Sequence, residues 1–238
     1  MKFVFDLETI PDIELLRDIL QDTDSSPEIL REKAVQEINN GKTDFLPPML
    51  HRIVSWVGLW IDSAGNPVQQ ASWSGENEAE GLRQLFDTLL TYKDFGLIHH
   101  NGKSFDLPVL TYRSMKHGIS MPRRLHHRDI RYRYSQENID LMDEFSNYGA
   151  SNYPKLKQLG YLIGIPFKQT AEGNQVLRLF EENKLKEIEH YCLEDVIATY
   201  IIWIHLQFTS GEMNEENFKN LKSRAMKKLK EIQDSATI

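Results

Sequence analysis

Apolar residues gather in a few dense tracts separated by polar stretches, and their spacing assigns most of the elements. Residues 2–9 open with Phe3, Val4 and Phe5, which favour a strand, and Pro11 breaks the extended run. Residues 12–40 read as two short polar helices split at Asp24-Ser25-Ser26-Pro27. The stiff Leu46-Pro47-Pro48 leads into a strand over residues 51–61, where Ile53, Val54, Trp56, Val57, Leu59 and Trp60 crowd both faces. Ala64-Gly65-Asn66-Pro67 is a hairpin turn into a third strand over 68–73. Ser74 is placed to cap a helix carrying Leu82, Leu85, Phe86, Leu89 and Leu90 at helical spacing. Residues 95–99 form a short apolar strand ending in His100-Asn101-Gly102, and a helix follows near Pro108. After residue 122 the pattern loosens. It tightens again over 156–162 and in a long helix over about 184–208, where Leu185, Ile188, Cys192, Val196, Thr199, Trp203 and Leu206 recur three or four apart. Gly211 can end that helix.

A three-strand meander followed by alternating helices and strands predicts an α/β fold, one mixed central β-sheet flanked by α-helices, in one domain. Composition narrows the partners. With 40% hydrophobic residues in 238, the chain can build a sizeable core. A net charge of −7 argues against coating duplex DNA by bulk charge. The single cysteine, Cys192, allows no internal disulfide and fits a reducing cytoplasm, with the residue itself buried for packing. Asp6 and Glu8 interrupt the apolar start, against a signal peptide, and no stretch approaches the ~20 apolar residues of a membrane span.

The candidate chemistry is acidic. Side chains two apart on a strand share a face, so Asp6 and Glu8 converge about 6–7 Å apart, twice the strand rise. Two adjacent acids repel unless a cation neutralises them, and hard oxygen ligands suit Mg²⁺ or Mn²⁺. Alone they would be ordinary strand-end acids. Two further acids answer them. Asp106 sits where a strand hands over to a helix, a position that alone favours a helix cap over a metal ligand. Asp195 lies inside the long helix, where Asp is unfavourable by propensity.

Phe5-Asp6-Leu7-Glu8-Thr9, then residues 101–110, then residues 191–195 resemble, in order, the three motifs of the DnaQ-like 3′→5′ exonuclease superfamily. The likeness covers residues 1–208 and is closer to the exonuclease domain of family B DNA polymerases and to stand-alone predicted exonucleases related to it. Three residues separate Asn101 from Phe105-Asp106-Leu107-Pro108, as in the polymerase version, and Leu46-Pro47-Pro48, Ile139-Asp140-Leu141-Met142 and Gly173-Asn174-Gln175-Val176 are similar to the stand-alone group. The resemblance implies a ribonuclease H-like fold, with an exonuclease domain over 1–210, a helical insertion over 12–48 and a basic helical tail over 211–238. Asp140 and Asp143 fall in a motif neighbourhood and are expected to be structural.

The superfamily divides on whether Tyr or His orients the attacking water, and the chain offers both His190 and Tyr191. On a regular helix, Tyr191 lies about 40° from Asp195 and His190 about 140° away, which favours the tyrosine subclass; an irregular helix start would favour His190. The resemblance implies two-metal hydrolysis of a terminal phosphodiester with Mg²⁺ or Mn²⁺. Asp6 would bridge both ions, Glu8 and Asp195 would hold the ion carrying the water, and Asp106 would act through water or the second ion. Tyr191 would orient the nucleophile, and Leu7, Thr9, Asn101 and Phe105 would contact substrate. The implied partner is the 3′ end of single-stranded DNA or RNA, DNA first, with a separate polymerase or repair partner left open and no membrane.

Arg123, Arg124, Arg128, Arg131 and Arg133 cluster with Tyr132 and Tyr134. Such a segment suits a single strand held by charge and stacking, with Arg128, Arg131 and Arg133 as contacts. It equally suits a strand with Ile130, Tyr132 and Tyr134 inward and arginines in water. In the tail, Leu221, Leu229 and Ile232 alternate with lysines, which favours a docked helix over a nucleic-acid or membrane contact. A phosphatase resembling haloacid dehalogenase-like enzymes is a rival, but it would need Asp at Glu8 and leaves Asp106 and Tyr191 unexplained. An exoribonuclease of the same superfamily, or a non-catalytic binding domain on its scaffold, would need substrate and turnover tests to separate.

Overall fold

Strand β1 (Lys2–Pro11) runs through the middle of a five-stranded sheet. On one side it pairs antiparallel with β2 (His51–Ile61), which pairs antiparallel with β3 (Pro67–Ser74). On the other side it pairs parallel with β4 (Gly96–His99), which pairs parallel with β5 (Asn138–Asp140). The order β3-β2-β1-β4-β5 is the mixed α/β sheet of the ribonuclease H-like fold. This computed structural model describes residues 1–166 and 175–235. Gly173 and Asn174, half of one family-like tract, lie outside the described residues, as do the last three of the tail.

Alternation along β1 sorts its side chains to two faces. Phe3, Phe5 and Leu7 join Trp56, Trp60 and Trp73 against α3 (Glu78–Leu89) and α4 (Asp106–His117). Val4, Val57, Leu59 and Ile98 face α7 (Leu156–Leu162), α9 (Leu185–Thr209) and α10 (Glu215–Ser235). Gly58 pairs with Phe5 and leaves room for the neighbouring Phe3 ring, which a Cβ there would meet at 1.8 Å. Val196 through Ile204 of α9 are buried without a break, enclosed between sheet and α10. The tail's α10 docks through Leu221, Ala225, Leu229 and Ile232. No described helix is long and apolar enough to cross a membrane.

The segment between β1 and β2 forms α1 (Ile13–Leu20) and α2 (Pro27–Asn39). Asp12 caps α1 and Ser26 caps α2 ahead of Pro27. Leu16, Ala34, Leu46 and Leu50 make the small core that joins them to the approach to β2.

Three expectations are corrected. Asn77, not Ser74, caps α3: Ser74 is still paired in β3, and the Asn77 side chain accepts the Glu80 N–H. Leu90 ends that helix with its side chain 63% exposed. The arginine-rich segment is not a strand but a 3₁₀ turn over Arg123–His126 and one helical turn, α5 (Arg128–Arg131). Of its apolar residues Ile130 is buried, whereas Tyr132 and Tyr134 are 55% and 53% exposed. The pattern also leaves β5 and α6 (Leu141–Phe145) unread. The remaining helix, α8 (Gln175–Glu181), packs on β1 and α9.

Candidate active site

The site forms at the carboxyl ends of β1 and β4, where open α/β sheets place ligands. Past Val4, the face of β1 turned to α9 carries Asp6 and Glu8. Each offers an oxygen within 4.8 Å of the other and of Cys192 Sγ on α9. Val54 is an extra residue in β2 opposite the Glu8–Thr9 step, so a bulge bends the sheet just beyond these acids.

Asp106 arrives from a tightly built turn after β4. Asn101 adopts φ +67°, a left-handed conformation that Asn tolerates. Gly102 follows, where a Cβ would lie 2.6 Å from the His99 ring. The Asp140 carboxylate, at the end of β5, accepts the N–H groups of Asn101 at 2.7 Å and Lys103 at 3.0 Å and also caps α6. Asp140 thus shapes the turn, the structural role expected of it, and Asp143 is engaged by Lys103 and Arg133. Asp106 is the first residue of α4, and its Oδ1 accepts the Leu7 N–H at 3.2 Å. Leu7 borders the cleft while its side chain packs among the aromatic core residues on the opposite face from the acids.

The long helix supplies the rest. Asp195 and Tyr191, one turn apart on α9, both face the acids of β1. Burial raises all four carboxylates. Asp6 is pushed well above the usual range by burial and by Asp106, Glu8 and Asp195; Glu8 likewise by burial, Asp195 and Asp106. Asp106 rises to about 7 through burial, against which the Leu7 N–H works, and Asp195 to about 7 through burial and Glu194. Burial, together with Asp195, Glu8, Asp6 and Glu194, holds the Tyr191 phenol far above its ordinary value, so it is a neutral hydroxyl.

Four carboxylates from three segments meet here, and among the described residues no facing cationic side chain overcomes the rise in their pKa values; their donors are hard oxygens. That set fits divalent cations of the Mg²⁺ class. Cys192 is the exception in the cluster. Its Sγ donates to the Asp6 backbone carbonyl at 3.4 Å, and burial together with Asp6, Glu8 and Asp195 raises its pKa, so it stays a thiol packed beneath the acids. His190 turns the other way: its Nε2 lies 2.6 Å from the Ile232 carbonyl of α10. The helix is regular from Leu185 onward, so the irregular start that would favour His190 is absent.

A cleft of about 970 Å³ opens from Glu8 and Tyr191 toward α2, with Thr9 and Phe105 on its walls. Thr9 Oγ1 is 2.9 Å from His51 Nδ1, and the Phe105 ring lies 5.1 Å from Phe45 and 5.0 Å from His51. Phe45 and His51 carried no signal as site residues in the sequence, because neither belongs to an acidic or basic pattern. Across residues 103–107 lies a second groove of about 660 Å³, lined by Lys103, Tyr112, Arg131, Arg133 and Tyr153. Arg131 and Arg133 reach it, the latter paired with Asp143 at 3.2 Å. Arg128 is exposed on α5 and does not line it.

The family described as "Predicted 3'-5' exonuclease related to the exonuclease domain of PolB" matches residues 43–238. The chain belongs to this family. The match takes in Asp106, Tyr191 and Asp195, while β1 with Asp6 and Glu8 precedes it. Among solved structures, a zinc-ion-bound E. coli ExoI–ssDNA complex is similar at 15% identity and TM-score 0.47, over 74% of this chain and 40% of that one. An ExoI/SSB-Ct complex is similar at 16% identity and TM-score 0.45, over 74% and 40%. A product-bound exonuclease I gives 17% identity and TM-score 0.41, over 74% and 43%. The chain thus spans about two-fifths of the length of these exonuclease chains. No curated protein matches it.

Proposed function

We propose that this protein is a metal-dependent 3′→5′ exonuclease that hydrolyses the terminal phosphodiester of single-stranded nucleic acid, DNA in preference to RNA. The observation that carries the reading is the convergence of Asp6, Glu8, Asp106 and Asp195, all with raised pKa values, beside the neutral hydroxyl of Tyr191. Residues 1–210 are taken as the exonuclease unit, 12–48 as its helical insertion and 211–238 as a basic helical tail. The cytoplasm is the proposed compartment, on the single cysteine.

The four acids are the proposed holders of two divalent cations, Mg²⁺ or Mn²⁺. Bound there, such ions would neutralise the acids, activate water and stabilise the leaving oxygen. The chain's own residues do the positioning. The Leu7 N–H fixes the Asp106 carboxylate, and Asp140 fixes the turn that presents it. Tyr191, unable to ionise near neutrality, holds the attacking water by hydrogen bonding and does not remove its proton. Leu7, Thr9, Asn101 and Phe105 border the terminal nucleotide, and Arg128, Arg131 and Arg133 attract the strand.

The test is a time course on end-labelled single-stranded DNA and RNA with Mg²⁺, Mn²⁺ or chelator. Stepwise release of mononucleotides from the 3′ end is expected, abolished by chelator and by Asp6→Asn or Asp195→Asn. Undiminished release in excess chelator would overturn the metal mechanism, and binding without turnover would favour a non-catalytic domain.

A further inference from the structure

The wall that α2 raises over the cleft is a poor path for phosphates. It and the turn after it contribute Glu28, Glu32, Glu37 and Asp44 against Arg31 and Lys33. A strand laid along it by its backbone would meet those acids as well as the four at the site. What the cleft offers there is aromatic. Phe45 is 59% exposed, yet its ring is backed on two sides, by His51 with centroids 5.0 Å apart and by Phe105 at 5.1 Å.

The backing is held in place. The Leu46 carbonyl can only accept, so His51 Nε2 carries the hydrogen and donates to it at 3.1 Å. Nδ1 is then the acceptor for the Thr9 hydroxyl at 2.9 Å. Burial lowers the His51 pKa, so the ring is neutral and packs as an aromatic. Thr9 follows Glu8 in β1, which ties the platform to the acids through one side chain. Phe45 and the catalytic candidates Glu8 and Tyr191 share one cavity of about 970 Å³, within the range of small-molecule sites.

Resting on the exonuclease reading, we propose that Phe45, backed by His51 and Phe105, is the stacking platform for the base at the 3′ end, with the strand's phosphates turned away from α2. Stacking on a ring reads no sequence, since every base has a π-face. It selects for single strands, because a paired strand would have to pass through the wall of α2.

The experiment is a cycle between enzyme and substrate. Wild type, Phe45→Ala and Phe45→Trp are assayed for kcat/KM in Mg²⁺ on a single-stranded oligodeoxynucleotide with a normal 3′ nucleotide or an abasic one. Wild type is expected to lose about 5- to 150-fold on the abasic end, the span of one base–aromatic stack. Phe45→Ala is expected to lose a similar factor on the normal end and little more on the abasic end, while Phe45→Trp discriminates as wild type does. Should Phe45→Ala fail to fold, Phe45→Leu keeps an apolar side chain in place and carries the same expectation. Penalties that multiply, or a Phe45→Ala enzyme that still discriminates fully, would overturn the platform and leave the exonuclease reading intact. No nucleotide release by wild type on either substrate would overturn both.

Discussion

His190 Nε2 lies 2.6 Å from the carbonyl oxygen of Ile232, tying α9 to the last turns of α10, while the next residue, Tyr191, faces the acids of β1. Because the carbonyl only accepts, Nε2 is the donor. His190→Ala is therefore expected to lower stability by about 1 kcal/mol, one hydrogen bond, and to leave the single-turnover rate within a few-fold. Tyr191→Phe removes a neutral hydroxyl and leaves the ring packed, so its expected cost is a roughly 10–1,000-fold slower rate with little change in melting. The wild-type rate should rise with pH as a metal-bound water and the acids that hold the metal release their protons, and His190→Ala should leave that profile unchanged, which it would not if the imidazole were the base. A dead His190→Ala enzyme beside an active Tyr191→Phe would reverse the assignment.

The four raised carboxylates make a prediction about the metal-free protein. An acid with a raised folded-state pKa keeps its proton where the unfolded chain has released it, so stability falls as pH rises through that window. For Asp106 and Asp195 the window runs from the ordinary value, near 3.8, to about 7. Each group's slope approaches ~1.4 kcal/mol per pH unit at most. Asp12 has the opposite sign but acts lower. Burial opposes its ionisation, yet hydrogen bonds from Lys116, Arg113 and Leu15 hold it at about 2, so its contribution is lost only as pH falls below about 4. In chelator, melting temperature should drop as pH rises from about 4 to about 7. Asp106→Asn, neutral throughout, should melt above wild type at the upper end, by on the order of 1–3 kcal/mol, and converge with it at the lower end. Added Mg²⁺ or Mn²⁺ should rescue wild type at pH 8 more than the variant. A flat profile in chelator would mean that burial does not raise these carboxylates in the fold.

What the sequence displayed depended on how local the cause was. Strand β2 was legible over its whole length, His51–Ile61, because both faces are apolar and proline and glycine turns bracket it. Asp6, Glu8, Asp106, Tyr191 and Asp195 were legible as an ordered motif set. The three-residue β5 was not, since Asn138 and Asp140 occupy two of its positions and pair with His99 at the end of β4 and with the turn that follows it. Arginines alternating with tyrosines imitated a strand, but His127 accepts the Asp129 N–H and starts a helical turn instead. Phe45 and His51 matter through a cleft assembled from six separated stretches of the chain, which no local pattern records.

The least legible feature is a buried charge cluster. Arg113 of α4 donates to Glu78 through Nε at 2.7 Å and Nη2 at 2.5 Å, and to Asp12 through Nη1 at 2.6 Å. Glu78 also accepts the Ile53 N–H at 2.6 Å, where β2 bulges opposite Thr9. The cluster joins the start of α1, the start of α3, the bulge and the helix that presents Asp106. Removing one partner leaves buried charge uncompensated, so Arg113→Met should cost about 3–5 kcal/mol. For a chain of this size that is roughly a 6–20 °C fall in melting temperature. Adding Glu78→Gln should recover part of the loss. A drop within ~1 kcal/mol would show that Lys116 and His117 already satisfy both acids.

The second groove bears on how a strand approaches. Arg131 and Arg133 line it beside Lys103, whereas Arg128 stands outside, and Tyr112 and Tyr153 expose rings along it. If single strands run there, each groove cation that meets a phosphate contributes about 0.7 to the slope of log K against log[salt]. Arg131→Gln and Arg133→Gln should each flatten that slope by up to this amount, with weaker binding at low salt. Arg133 should fall short of the full value, since Asp143 already compensates part of its charge. Arg128→Gln should change the slope less than either. The measurement is a fluorescence-anisotropy titration of a single-stranded oligonucleotide across a salt series, using an Asp195→Asn background to prevent turnover. Slopes unchanged by Arg131→Gln and Arg133→Gln, with binding intact, would remove the groove from the strand's path.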